Sequence, residues 1–423
     1  MQLATELLGD PQHAFPVIHL TGTNGKTSTA RIVERILREH GLRTGRFTSP
    51  HLVDITERIS IDGEPLDPEL FAEYWNQISP ILEIADAEGV SLPIDDATGA
   101  PIDDAGRLGE WFAEKSDSGS LVEYLKTFDV TTAVMQSEAG LRRIAKEFVE
   151  DLVSDGVIVG EIRWAPEQHV QGGLSLDAAV EAVQSGIDEA VNAARAIGKT
   201  IYVGQLVTAM RHLDRSVEIA QLALRHRDKG VVGFDIAGPE AGLPPSRFRE
   251  AFDLLAREMF PVTIHAGEAD GVESITSALI DGRALRLGHG VRIAEDIGNL
   301  AAEDSTFADM GLAARWVLER GIPLETSPSS NIQTGAIDAW GKSVEDHPFD
   351  PLYRLGYAVT VNTDNRLMSS TTLTKELGLL VDAFRYGIED LLAFQLNAAQ
   401  GAFLRWDQTE DVIDQLLEAY TLS

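Results

Sequence analysis

The sequence contains no cysteine. That excludes a disulfide framework, a thiolate zinc site and a cysteine nucleophile. Cationic residues are scarce: 35 Lys+Arg stand against 67 Asp+Glu, a formal net charge of -32. A chain this acidic repels phosphate backbones and anionic lipid, so neither nucleic acid nor a membrane surface is an expected partner. No run approaches the roughly 20 apolar residues of a membrane helix. The opening Met1-Gln2-Leu3-Ala4-Thr5-Glu6 lacks a basic stretch followed by an apolar one. No export signal is visible there, and a cytoplasmic location is expected. What is present is ordinary for a globular chain: 423 residues, 44% hydrophobic and 24% charged. The length suits two or three domains, or one large barrel with additions.

From Val157 onward, short β-branched runs alternate with helical patterns. The runs are Val157 to Trp164, Thr200 to Thr208, Val231 to Ile236, Pro261 to His265, Leu285 to His289, Ile322 to Thr326 and Tyr357 to Thr363. Helices are predicted between them, among others at Ser175 to Ile197, Ser246 to Glu258 and Thr306 to Arg320. Successive runs start on the order of 25 to 45 residues apart, room for the crossover helices that parallel strands require. Arg163, Asp235, His265, Glu268, His289, Ser327, Asn331, Asp364 and Asn365 gather at the C-terminal ends of the runs. A (β/α)8 barrel puts its chemistry there, whereas a doubly wound sheet concentrates it at one switch point. The fold expected is α/β, a (β/α)8 TIM-type barrel of the metal-dependent hydrolase kind. Its first strand is expected to be missing or replaced, because seven strands are legible rather than eight. Upstream, Pro93-Ile94-Asp95-Asp96 recurs as Pro101-Ile102-Asp103-Asp104, read as a solvent-exposed acidic loop.

The chemistry-bearing motifs are Val262-Thr263-Ile264-His265-Ala266-Gly267-Glu268, Arg286-Leu287-Gly288-His289-Gly290 and Val361-Asn362-Thr363-Asp364-Asn365. Glycines beside the histidines let a substrate or metal approach closely. Imidazole with carboxylate suits zinc that activates water. A glutamate in a closed pocket can keep its proton and deliver it to a nitrogen. His169, His212, His226 and His347 have no such setting and are read as surface or structural.

The first 80 residues read differently. Pro16-Val17-Ile18-His19-Leu20-Thr21-Gly22-Thr23-Asn24-Gly25-Lys26-Thr27 is an apolar run and a Gly-rich turn, with a helix predicted from about Lys26 to His40. Such a turn can cradle phosphates on its backbone N–H groups, although the strict loop pattern wants glycine where Leu20 stands. Gly22 to Thr29, Gly45 to Leu52 and Glu57 to Pro65 together resemble the start of folylpolyglutamate synthase, an ATP-dependent amide ligase. The resemblance runs from about His13 to Ser79. It implies that Gly22, Gly25, Lys26 and Thr27 bind nucleotide phosphates and that Ser49-Pro50-His51 lies near folate. The acidic magnesium-binding element and later domain of that ligase do not follow, so ligase activity is not expected. An ATP-binding remnant is the alternative.

From Ile81 to Ser423 the chain resembles the adenosine deaminase family, zinc aminohydrolases of the amidohydrolase superfamily. The three motifs carry the resemblance. So do Gly233-Phe234-Asp235-Ile236-Ala237-Gly238-Pro239-Glu240, Ser327-Pro328-Ser329-Ser330-Asn331, Glu161 to His169 and Asp117 to Leu121. It implies hydrolytic deamination of adenosine or 2'-deoxyadenosine to inosine or 2'-deoxyinosine, with one zinc per chain. It makes His265 and Asp364 zinc ligands and Glu268 the acid that protonates the purine ring. His289 orients or deprotonates the attacking water. Gly238, Asn365 and Asp235 meet the substrate. The family's first strand also carries His-x-His, completing the zinc shell. No His-x-His occurs in this sequence. The ligase-like segment, residues 1–80, stands where that strand belongs, ahead of the deaminase-like residues 81–423. The run Val17 to Thr21 is the candidate replacement strand, with His19 the candidate ligand on it. Impaired deamination is therefore expected, or an inactive deaminase-like fusion. No oligomeric state is indicated.

Overall fold

The computed structural model describes residues 26–42, 44–47, 59–61, 63–65, 92–94, 101–102, 105–300 and 309–421. They belong to two units, Met1–Trp111 and Phe112–Ser423. In the first, helix α1 (Lys26–Glu39) starts at the predicted residue. Three short strands, β1 (Gly45–Phe47), β2 (Ile59–Ile61) and β3 (Glu64–Pro65), form an antiparallel sheet in that order. Glu34 on α1 ties helix to sheet. Its carboxylate accepts from Arg46 Nε at 2.7 Å and from Ser60 Oγ at 3.2 Å. Lys26 and Thr27 open α1, whereas His19, Gly22 and Gly25 lie outside the described residues. The duplicated segment is more than an exposed loop: Ile94 and Pro101 pair in an antiparallel bridge, and Ile102 is fully buried.

The second unit is built on parallel strands. They are β4 (Val159–Trp164), β5 (Tyr202–Met210), β6 (Val231–Ala237), β7 (Thr263–Ala266), β8 (Arg286–His289), β9 (Leu324–Thr326) and β10 (Val359–Val361). Strands β4-β5-β6 pair in order, and β7-β8-β9-β10 do the same. A parallel bridge between Phe234 and Val262 links β6 to β7. Seven strands thus follow one another in chain order, as in a (β/α)8 barrel. Among the described residues no strand pairs with the outer edge of β4 or of β10. The side chain of Asn397 donates to the carbonyl of Val359 at 3.0 Å, occupying one acceptor of β10.

The helices between the strands follow the 3.6-residue apolar spacing. Ser175 caps helix Leu176–Ala196 by accepting from Ala178 N at 3.1 Å. Helix Leu312–Glu319 begins later than predicted, because Gly311 is extended at its N-terminus. Helix Arg249–Arg257 likewise starts after a 3-10 turn over Pro245–Phe248. Their apolar faces, with Ile219, Phe252, Ile275 and Val317, bury against the strands in one continuous core. Among the described residues no helix is long and apolar enough to cross a membrane.

The strands' other face is charged. Glu325 on β9 accepts from Arg163 on β4 at 2.5 Å and forms an ion pair with Arg286 on β8, also at 2.5 Å. Arg286 also bonds Glu161 at 2.5 Å and lies 3.8 Å over the Phe403 ring. Burial opposes ionisation of Glu325, but the two guanidiniums outweigh it and hold its pKa well below the carboxylate range. Removing one partner from a buried ion cluster leaves the other charges desolvated and uncompensated. Glu325→Ala is therefore expected to cost about 3–5 kcal/mol, measured by urea unfolding. A loss under 1 kcal/mol would show that water compensates the two arginines.

Candidate active site

The site residues are delivered by strand ends. Asp235 lies on β6, His265 on β7 and His289 on β8; Glu268 follows β7 and Asp364 follows β10. Two of them hold a left-handed backbone, His289 at φ 61° and Asp364 at φ 50°. Non-glycine residues rarely adopt this, and it turns the chain sharply as it leaves the strand. Gly267, at φ 79°, does the same between His265 and Glu268, and a Cβ there would fall 2.6 Å from Ile275.

Asp235, a substrate contact by the family resemblance, is fully buried and holds His265. Its carboxylate accepts from His265 Nδ1 at 2.6 Å and from the His265 backbone N–H at 3.1 Å. Arg163 Nε lies 3.3 Å away. Burial penalises both charges, yet the pair favours the ionised states: Asp235 moves down and His265 up from their ordinary values. Arg211, which the sequence reading passed over, is buried beneath and donates to the carbonyls of His265 and Leu243.

With Nδ1 committed to Asp235, the other ring nitrogen of His265 is the one a metal could take. A carboxylate behind the far nitrogen is how proteins orient metal-bound imidazoles. Asp364 is oriented too, accepting from Ser330 Oγ and from Asn365 Nδ2, both at 2.7 Å. Yet among the described residues no group of three or more His, Cys, Asp or Glu side chains is placed to hold one ion. A catalytic zinc takes three protein ligands. These residues fit part of such a shell and do not complete it.

Glu268 is 5% exposed, and its Oε2 lies 3.5 Å from His289 Nε2. Burial raises its pKa, and Asp364 and Glu240 add to the rise against the opposing pull of His289 and His265. The loop that carries it is built on Glu240, another residue the motif reading did not single out for a role. Its two oxygens accept from the consecutive N–H groups of Gly267, Glu268, Ala269 and Asp270 at 2.7–3.0 Å, and from Ser274 Oγ at 2.6 Å. A buried carboxylate inside a turn of amides is a strong local restraint. Gly238 closes β6 with φ 98°; a Cβ there would meet Met210 at 3.1 Å. Tyr124, from helix Leu121–Leu125, is buried, and its hydroxyl pKa is raised by burial and by the charge of Asp364.

The other histidines divide. His212 is exposed. His169 is buried against the carbonyl of Met135, and burial pushes its pKa down to about 4. His226 is buried beside Asp177 at 2.8 Å. His347, read as surface or structural, is 1% exposed and is hydrogen-bonded to the amide of Asn331 at 3.2 Å.

Parallel strands in chain order with imidazoles and carboxylates at their C-terminal ends are the arrangement of an enzyme on a (β/α)8-type fold. The family profile "Adenosine deaminase" matches residues 77–419. The chain is 50% identical over 340 residues to adenosine deaminase of Mycolicibacterium gilvum, covering 80% of this chain and 90% of that one. It is 50% identical over 318 residues to adenosine deaminase 1 of Streptomyces coelicolor, covering 75% and 78%. Adenine deaminase from Arthrobacter aurescens shares the fold with TM-score 0.67 at 21% identity, over 81% of this chain and 94% of that one. Arabidopsis ADAL, complexed with IMP, matches with TM-score 0.65 at 25% identity, over 81% and 93%. A Burkholderia ambifaria amidohydrolase with bound Zn matches with TM-score 0.65 at 23% identity, over 82% and 89%. The chain belongs to the adenosine deaminase family and is an aminohydrolase, of a family that is generally metal-dependent.

Glu240→Ala would leave the four amides without their acceptor. Hydrogen exchange at residues 267–270 is expected to lose protection while strands β4 and β5 keep theirs. Unchanged exchange at 267–270 would mean that the loop stands without Glu240.

Proposed function

We propose that this chain hydrolyses adenosine or 2'-deoxyadenosine to inosine or 2'-deoxyinosine and ammonia. The observation that carries the reading is the buried Glu268 carboxyl, 3.5 Å from His289, in a chain half identical to adenosine deaminases. Glu268 protonates a purine ring nitrogen. This draws electron density from the neighbouring carbon and readies it for water. His289 holds the water on the side facing Glu268. Water oxygen bonds to the carbon, its protons pass to the site and to the departing nitrogen, and the carbon–nitrogen bond breaks to release ammonia. The backbone N–H of Gly238 and the side chain of Asn365 meet the purine. Asn365 stands where many members carry aspartate, so its contact with the ring differs from theirs. Asp235 acts behind His265 rather than on the substrate.

Zinc, for which His265 and Asp364 would supply part of the shell, would provide a water of lowered pKa. In the sequence, a folylpolyglutamate-synthase-like segment over the first 80 residues occupies the place of the family's His-x-His segment, so a short metal shell and a reduced rate are expected. Two facts support this: the family match begins at residue 77, and the sequence lacks His-x-His.

Purified protein is expected to form inosine from adenosine, with zinc at up to one per chain by metal analysis. Glu268→Gln, which cannot supply the proton, is expected to lower kcat by on the order of 100-fold or more. Because burial raises the Glu268 pKa, its protonated form persists at low pH and is lost as pH rises. Activity should therefore fall on the alkaline side, and that fall should vanish from the residual rate of Glu268→Gln. A metal-free protein with no inosine formation would overturn the proposal in favour of an inactive fusion.

A further inference from the structure

Three side chains, His347, Asn331 and His289, form a hydrogen-bonded line whose last ring nitrogen faces Glu268, and its polarity is fixed by two backbone N–H groups. The amide of Phe349 donates to His347 Nδ1 at 3.0 Å. A backbone N–H can only donate, so His347 Nδ1 carries a lone pair and its proton sits on Nε2. That Nε2 lies 3.2 Å from the side-chain oxygen of Asn331, and the backbone N–H of Ser327 donates to the same oxygen at 3.2 Å. Two donors on one atom identify it as the carbonyl end of the amide. The NH2 end of Asn331 then faces His289 Nδ1 at 2.9 Å, and His289 Nδ1 must accept. A neutral His289 therefore carries its proton on Nε2, 3.5 Å from Glu268 Oε2. Asn331 is fully buried and His347 is 1% exposed, so water does not compete for these bonds. Burial alone drives the pKa of His347 down to about 3, which keeps the relay's far end neutral.

We propose that Asn331 and His347 are positioning residues that hold His289 in the tautomer with its proton on Nε2, so that His289 is a hydrogen-bond donor toward the reacting water and not its base. The proposal deepens the deaminase reading and rests on it for the chemistry. The tautomer itself can be measured without turnover.

The test uses the full chain labelled with 15N-histidine and long-range nitrogen–proton correlation NMR. His289 and His347 are both expected in the Nε2–H form. Asn331→Asp replaces the donor facing His289 with an acceptor, and His289 is expected to switch to Nδ1–H. His347→Phe removes one anchor of the amide, and His289 should then populate both forms. His347→Gln, which retains a donor, should restore the single form. Asn331→Asp is also expected to lower kcat by on the order of 100-fold with KM little changed. A wild-type His289 protonated on Nδ1 would overturn the proposal, and so would an Asn331→Asp spectrum in which His289 is unmoved. Should Asn331→Asp fail to fold, the wild-type spectrum and the His347 pair still decide it. An enzyme without turnover whose spectra follow this pattern would sink the deaminase reading alone.

Discussion

The carboxylate of Glu325 sets the frame on which the site is hung. It sits between Arg163 and Arg286, so three strands that are not all neighbours, β4, β8 and β9, are held across the inside of the sheet. Arg163 reaches on to Asp235, and Asp235 grips His265. Charges out of water interact strongly but tolerate little misfit, since a displaced partner leaves its mate uncompensated. The orientation of His265 is thus coupled to a cluster lying deeper than the strand ends, and loops can vary around it without moving the imidazole.

The strand order was legible because each buried strand announces itself with β-branched residues and a polar terminus. All seven runs became strands, with ends shifted by a few residues, as at Thr200 to Thr208 against Tyr202–Met210. The helix read from Thr306 shortened to Leu312–Glu319 because Gly311 sets its start, a local backbone choice that apolar spacing does not encode. The strand-end rule also brought His265, Glu268, His289 and Asp364 to the same end of the sheet.

What the sequence did not disclose is how those groups are supported. The family resemblance makes Asp235 a substrate contact; only the fold reveals that its oxygens face His265 from within. Glu240 lies 27 residues from the first amide it accepts. His347 is 16 residues from Asn331 and 58 positions after His289, with nothing nearby in the chain to mark it. Partners of this kind depend on which loops share a space, and one sequence does not carry that. The ligase-like beginning was legible only by resemblance, and His19, Gly22 and Gly25 lie outside the described residues.

His289 and Asp364 both leave their strands in a conformation that side chains with a Cβ resist. A cost of about 1–3 kcal/mol is typical for each such residue. Glycine at either position would relax the backbone and give a sturdier protein with an emptied centre. The imidazole and the carboxylate thus sit at two corners where backbone stability alone would favour glycine, so the chemistry of the site and the sturdiness of its frame pull in opposite directions.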